Sequence, residues 1–154
     1  MTRTVWRRWL PAAIVLSFAV AGAAGIARAE APLGFWLTED GDGVFEITRC
    51  GDELCGRLQG MRYSGSMPED VWHRPQCHLP MLNGFRPDPD EPGHWDGTIL
   101  DPDNGRTYHA RIWNPSPGVL ALRGYLLLPM FGQTQHWTRY GGSIGADCKL
   151  PSRP

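Results

Sequence analysis

The chain has 154 residues, 42% of them apolar, with 15 Lys or Arg against 16 Asp or Glu, a length that suits one domain with one core rather than two. The first 29 residues carry four arginines and no acid, so without them the formal charge falls from −1 to −5, and Lys149 is the sole lysine. That balance argues against nucleic acid as a partner, because binding a phosphate backbone needs clustered cations.

In chain order, Arg3, Arg7 and Arg8 precede an apolar run over 12–27 that ends in Ala27-Arg28-Ala29. This is the pattern of a cleaved secretory leader, and it predicts a signal peptide over 1–29 and a single domain over 30–154, in the periplasm or secreted. The run is rich in Ala and Gly, and no Cys precedes Cys50, so no stable membrane anchor is expected after cleavage. Export also removes ATP and nicotinamide from the expected reactants. All four cysteines (Cys50, Cys55, Cys77, Cys148) follow the leader, which in an oxidising compartment reads as two disulfides. Of the three pairings open to four cysteines, the short turn over 51–54 favours Cys50 with Cys55, opposite each other in a hairpin. That leaves Cys77 for Cys148.

Gly and Pro make up 30 of the 125 residues after position 29. Between these breakers lie short runs rich in β-branched, Leu and aromatic residues, over 35–38, 44–49, 54–61, 95–100, 106–113, 119–128 and 133–140. Spacing of this kind predicts β-hairpins. The turns Asp40-Gly41-Asp42-Gly43, Gly51-Asp52 and Asp103-Asn104-Gly105 supply the positive-φ residues that tight reversals need. Only 68–73 suggests a helical turn, within a long irregular connection over 62–80. The whole predicts an all-β fold, a single antiparallel meander of about eight strands closed into a barrel, since open edges invite aggregation. Closure makes the first and last strands neighbours, and the expected plug at one end is Arg139 lying over the Trp36 ring.

Several motifs have catalytic or metal-binding readings that their context weakens. Gly141-Gly142-Ser143-Ile144-Gly145 matches a nucleophile elbow, but that elbow needs a following helix and a later histidine, and the last histidine is His136. Asp70, His73, Cys77 and His78 form the densest set of metal donors, yet a Cys77 in a disulfide is a poor ligand. Asp101-x-Asp103-Asn104-Gly105 has Ile112 where a calcium loop requires its bidentate acid. His94, His109 and His136 stand alone, and Glu46 with Asp96 has no evident reason to pair. No catalytic residue, metal or cofactor is assigned, and a hydrolase remains the weakest alternative.

Binding has better support. Period-two alternation sends Gln133, Gln135, Trp137 and Arg139 to one face of the last strand, and Arg123 shares a face with Tyr125 in the strand before. If these faces point inward, Arg123, Tyr125, Gln135 and Trp137 line a pocket for a small hydrophobic or amphipathic molecule. Its polar or anionic head would meet Arg123, since a buried guanidinium needs a partner.

Longer motifs cover most of the predicted domain: Trp36-Leu37-Thr38-x-Asp40-Gly41; Cys50-Gly51-x-x-Leu54-Cys55-Gly56; Arg74-Pro75-x-Cys77; Asp96-Gly97-x-Ile99-x-Asp101-Pro102-x-x-Gly105-x-Thr107-Tyr108; Leu122-Arg123-Gly124-Tyr125; and Gly132-Gln133-Thr134-Gln135-x-Trp137-Thr138-Arg139. Together they resemble the bacterial domain-of-unknown-function family 2147, exported proteins with a lipocalin-like barrel. Gly34-x-Trp36 with a late arginine is likewise similar to the barrel-end signature of lipocalins and other calycins. The resemblance implies the barrel and export; it implies no chemistry. Arg106 before Thr107-Tyr108, His78 after Cys77 and the short 62–80 loop depart from the family pattern. Two functions follow from a barrel: ligand binding if its interior is open, or an envelope interaction through the outer surface if side chains fill it.

Overall fold

The computed structural model describes residues 30–152; the signal peptide expected over 1–29 lies outside the described residues. Eight strands follow one another as β1 (Gly34–Leu37), β2 (Gly43–Cys50), β3 (Glu53–Met61), β4 (Pro80–Pro87), β5 (His94–Leu100), β6 (Thr107–Ser116), β7 (Val119–Tyr125) and β8 (Gln133–Arg139). Each pairs antiparallel with its sequence neighbour, and β1 meets β8 at Trp36↔Arg139 and Leu37↔Thr138, closing the barrel. The all-β meander read from the turn chemistry is the fold observed. Among the described residues, no helix is long and apolar enough to cross a membrane.

One strand escaped the pattern. β4 begins at Pro80, carries Gly84 at φ 66° and ends at Pro87, residues that read as loop punctuation. Its pairing to β3 and β5 shifts register around Gly56 and between Asn83 and Arg86, so bulges absorb what a regular ladder would refuse. Buried Met81, Leu82 and Phe85 supply the inward side chains that hold it.

Segment 68–73 is not helical but a loop wound around Asp70, which is buried at 4% exposure. Its carboxylate accepts hydrogen bonds from the backbone N–H groups of Trp72 and Arg74, both at 2.9 Å, and from Arg74 Nε at 2.7 Å. Burial pushes the Asp70 carboxyl up, but the Arg74 backbone and side chain and the Trp72 N–H outweigh it and leave the group below its ordinary value. A carboxyl lowered in the folded state stabilises above its unfolded pKa of about 3.9, and that contribution disappears as pH falls through the folded value. Asp70→Asn is therefore expected to flatten the acid limb of a stability curve recorded by urea unfolding below about pH 5. An acid limb as steep as that of the wild type would show that Asp70 does not carry the effect.

The four cysteines form two disulfides, Cys50–Cys55 across the β2–β3 hairpin and Cys77–Cys148 from the β3–β4 loop to the C-terminal segment. The second bond, the Lys149↔Met61 bridge and the Leu150 N–H bond to the Met61 carbonyl at 2.9 Å hold that segment against β3. Ser143 of the elbow-like motif lies there, its carbonyl accepting from the Tyr140 hydroxyl at 2.7 Å.

Candidate ligand-binding site

The barrel interior divides into a packed half and an open half. At the end where the chain enters, Trp36 is fully buried, its Nε1 donating to the Pro32 carbonyl at 3.0 Å. The Arg139 guanidinium lies 4.0 Å from the centre of that ring and donates to the Leu33 carbonyl. Gly34 (φ 105°) passes so close that a Cβ would sit 2.6 Å from Arg139 Nη1, so this corner of the plug requires glycine. Above it Phe45 stacks on Trp137 with ring centres 4.8 Å apart, and fully buried Ile47, Leu54, Phe85, Ile112 and Leu120 complete the packed half.

Toward the other end the side chains become smaller and a cavity of about 800 Å³ opens to solvent, within the range of small-molecule pockets. Met81, Ile99, Leu122 and the backbone gap at Gly124 give it apolar walls, Leu126, Leu127 and Phe131 extend its lip, and Tyr108, Gln133 and Gln135 bring polar groups. Leu122 pairs in register with Gln135, and Leu120 with Trp137, so inward residues of β7 face inward residues of β8. Trp137 Nε1 donates to Gln135 Oε1 at 2.9 Å. That bond commits the carbonyl end of the amide and leaves its NH₂ end as the donor to offer a ligand. Tyr108 Oη accepts from Asn104 Nδ2 at 3.3 Å, so its hydrogen is likewise available.

The residues expected in the pocket do not all lie in the cavity. Gln135 and Gln133 line the cavity with Trp137 beneath them, but Arg123 is not there. The register sets Arg123 against Thr134 and Arg111 on the outer wall. Its guanidinium donates to Thr134 Oγ1 at 2.6 Å, to the Met130 carbonyl at 3.2 Å and to the Pro129 carbonyl, so protein acceptors occupy its donors. Tyr125 shares that wall, stacked on His109 at 5.7 Å, though it also borders the mouth at the end of its strand. Burial raises its hydroxyl pKa, and the Asp96 charge adds to this. With Arg123 outside, the anionic head expected of a ligand loses its counter-ion. Asp101 is the charged side chain among the residues lining the cavity.

Other candidates disperse. His73 pairs with Glu69 at 3.4 Å and Asp70 with Arg74, while Cys77 is oxidised. Only His78 stays near sulfur, 3.9 Å from Cys148 Sγ, with Nδ1 2.5 Å from Gln59 Oε1. Cys77, His78 and Cys148 hold metal-type donor atoms within 4.8 Å of one another, but the disulfide occupies the sulfurs. Glu46 accepts from Gln59 at 2.7 Å, whereas Asp96 joins Asp88 and Glu91 around Arg111. Sequence reasoning missed Met81, Ile99 and Gly124 of the cavity. The Leu120–Leu122 alternation, which marks the inward face of β7, was the signal that could have found the last of these.

A family model described as an uncharacterized protein conserved in bacteria (DUF2147) matches residues 34–139. No curated protein matches the sequence. Among solved structures, the chain is similar to protein HP1028 from the human pathogen Helicobacter pylori, described as belonging to the lipocalin family. The two are 16% identical with a TM-score of 0.61, over 71% of this chain and 82% of that one. At such identity the likeness speaks for the fold alone. With a family match running from the first strand of the barrel to the last, the chain belongs to the DUF2147 family and has a lipocalin-like fold.

Proposed function

We propose that this protein binds a small, largely apolar molecule noncovalently in the open half of its barrel, outside the cytoplasm. The observation that carries the reading is the cavity of about 800 Å³ in that half, apolar on most sides with Gln133, Gln135 and Tyr108 placed on its walls. Such a site extracts an apolar body from water and orients it through a few hydrogen bonds. Gln133, Gln135 and Tyr108 are neutral, and the Asp101 carboxylate, held by the Asp103 N–H and Asn104, disfavours an anion, so the ligand end they receive is an uncharged acceptor such as a carbonyl, ether or hydroxyl oxygen. Two disulfides and the leader pattern over 1–29 support residence in the periplasm or beyond it. The packed lower half supports the alternative of an envelope protein working through its outer surface, but a fully filled barrel, which that alternative called for, is not what the interior has.

Gly124 provides the test. A Cβ built there meets nothing within 4 Å, so Gly124→Trp is expected to fill the cavity without displacing backbone. N-phenyl-1-naphthylamine, an uncharged apolar fluorophore, should brighten and shift to the blue with the wild type and remain as in buffer with Gly124→Trp. Equal enhancement by both proteins would place the probe elsewhere and overturn the reading.

A further inference from the structure

The mouth of the cavity is ringed by apolar side chains that the barrel does not cover. In the β7–β8 loop Leu126 is 65% exposed, Leu127 87%, Met130 72% and Phe131 80%, and in the β3–β4 loop Trp72 is 53% exposed. The loops lie on either side of the 101–106 turn, to which Val71 N–H is tied through the Pro102 carbonyl at 3.0 Å. Large apolar groups gathered at one pole of a small protein mark a contact surface. No Asp, Glu, Lys or Arg occurs between Arg123 and Arg139.

The backbone of the β7–β8 loop is the second observation. Peptide groups entering hydrocarbon need partners within the protein. Phe131 N–H donates to the Leu128 carbonyl at 3.1 Å and Gly132 N–H to the Pro129 carbonyl at 3.0 Å. Pro129 has no N–H to satisfy. From beneath, Arg123 caps the Pro129 and Met130 carbonyls. The loop therefore presents apolar side chains outward while the Leu128, Pro129 and Met130 carbonyls and the Phe131 and Gly132 N–H groups find partners within the protein. Carbonyls capped by Arg123 and turn N–H groups bonded within the loop lower the cost of seating this tip at a hydrocarbon boundary.

Behind the tip the charge is balanced. Arg74 lies 4.8 Å over Trp72 but is paired with Asp70. Arg106 follows Gly105, which packs against the Trp72 ring, while Asp103 is exposed in the same turn. A neutral tip with a mixed collar complements a zwitterionic surface rather than an anionic one.

We propose that the open end of the barrel docks on a lipid bilayer, inserting Leu126, Leu127, Met130 and Phe131 into the headgroup–acyl boundary with Trp72 at the interface. This stands on the rim, not on the ligand reading, although it would set the cavity mouth against a source of apolar molecules. The test is flotation of the purified protein with phosphatidylcholine vesicles and, separately, phosphatidylglycerol vesicles. Wild type is expected to float with phosphatidylcholine, with Trp72 fluorescence shifting to the blue and little effect of added salt. Leu127→Asp/Phe131→Asp should weaken the partitioning about a hundredfold while retaining the barrel circular dichroism, and Met130→Asp, outside the cavity lining, should weaken it while also retaining the naphthylamine response. Gly124→Trp should float like wild type, which separates failure of docking from failure of ligand binding. Three results would each overturn the proposal: no flotation with either vesicle, flotation only with phosphatidylglycerol that salt abolishes, or rim-dependent self-association that removes binding to vesicles.

Discussion

Trp36→Ala is expected to lower stability by about 3–5 kcal/mol, the cost of emptying a large aromatic site in a packed core, and to reduce the melting temperature by roughly 12–20 °C in a domain of this size. Three losses act together. The ring is fully buried, its Nε1 satisfies the Pro32 carbonyl, and its face carries the Arg139 guanidinium at 4.0 Å. Without it the β1–β8 closure keeps its two residue pairs and loses the side chain that joins them. Ser143→Ala, in the C-terminal segment, is the control and should melt with wild type. A Trp36→Ala protein melting within about two degrees of wild type would show that the plug does not hold the barrel shut.

The second large effect concerns the disulfides. They span very different lengths of chain, 71 residues for Cys77–Cys148 and 5 for Cys50–Cys55. On loop entropy alone, Cys77→Ser/Cys148→Ser should cost about 4 kcal/mol and Cys50→Ser/Cys55→Ser about 2 kcal/mol. Cys148 is also buried, so a serine there adds a desolvated hydroxyl. Urea unfolding of the two double variants reads the difference, and equal midpoints would mean that unfolded-state entropy does not govern it.

The barrel was legible because its signals are local: turn residues recur between short apolar runs, and the long motifs carry the family. β4 was hidden because Pro80, Gly84 and Pro87 break the local pattern, and only contact with β3 and β5 makes the segment a strand. The run over 119–128 was read as one strand on its leucines, yet β7 stops at Tyr125 and the leucines after it emerge into solvent. Hydropathy does not distinguish a buried leucine from one exposed at a rim.

Arg123 illustrates a different limit. Alternation fixes which residues share a face, but not which face is inside. The cost of burying an arginine points to a partner inside only when the inward face is known. The register decides it: Leu120 and Leu122 lie opposite Trp137 and Gln135 on the face that lines the cavity, and Arg123 lies opposite Thr134 and Arg111 on the other. The carbonyls that receive Arg123 come from a loop six and seven residues later, partners that no strand pattern announces.

The most direct test of ligand binding is native mass spectrometry of the protein taken from its own cells without denaturation, wild type beside Gly124→Trp. The wild type is expected to carry a noncovalent adduct that dissociates on collisional activation, and Gly124→Trp to be bare. The same adduct on both proteins, or bare wild type that also leaves N-phenyl-1-naphthylamine fluorescence unchanged, would contradict binding in the cavity.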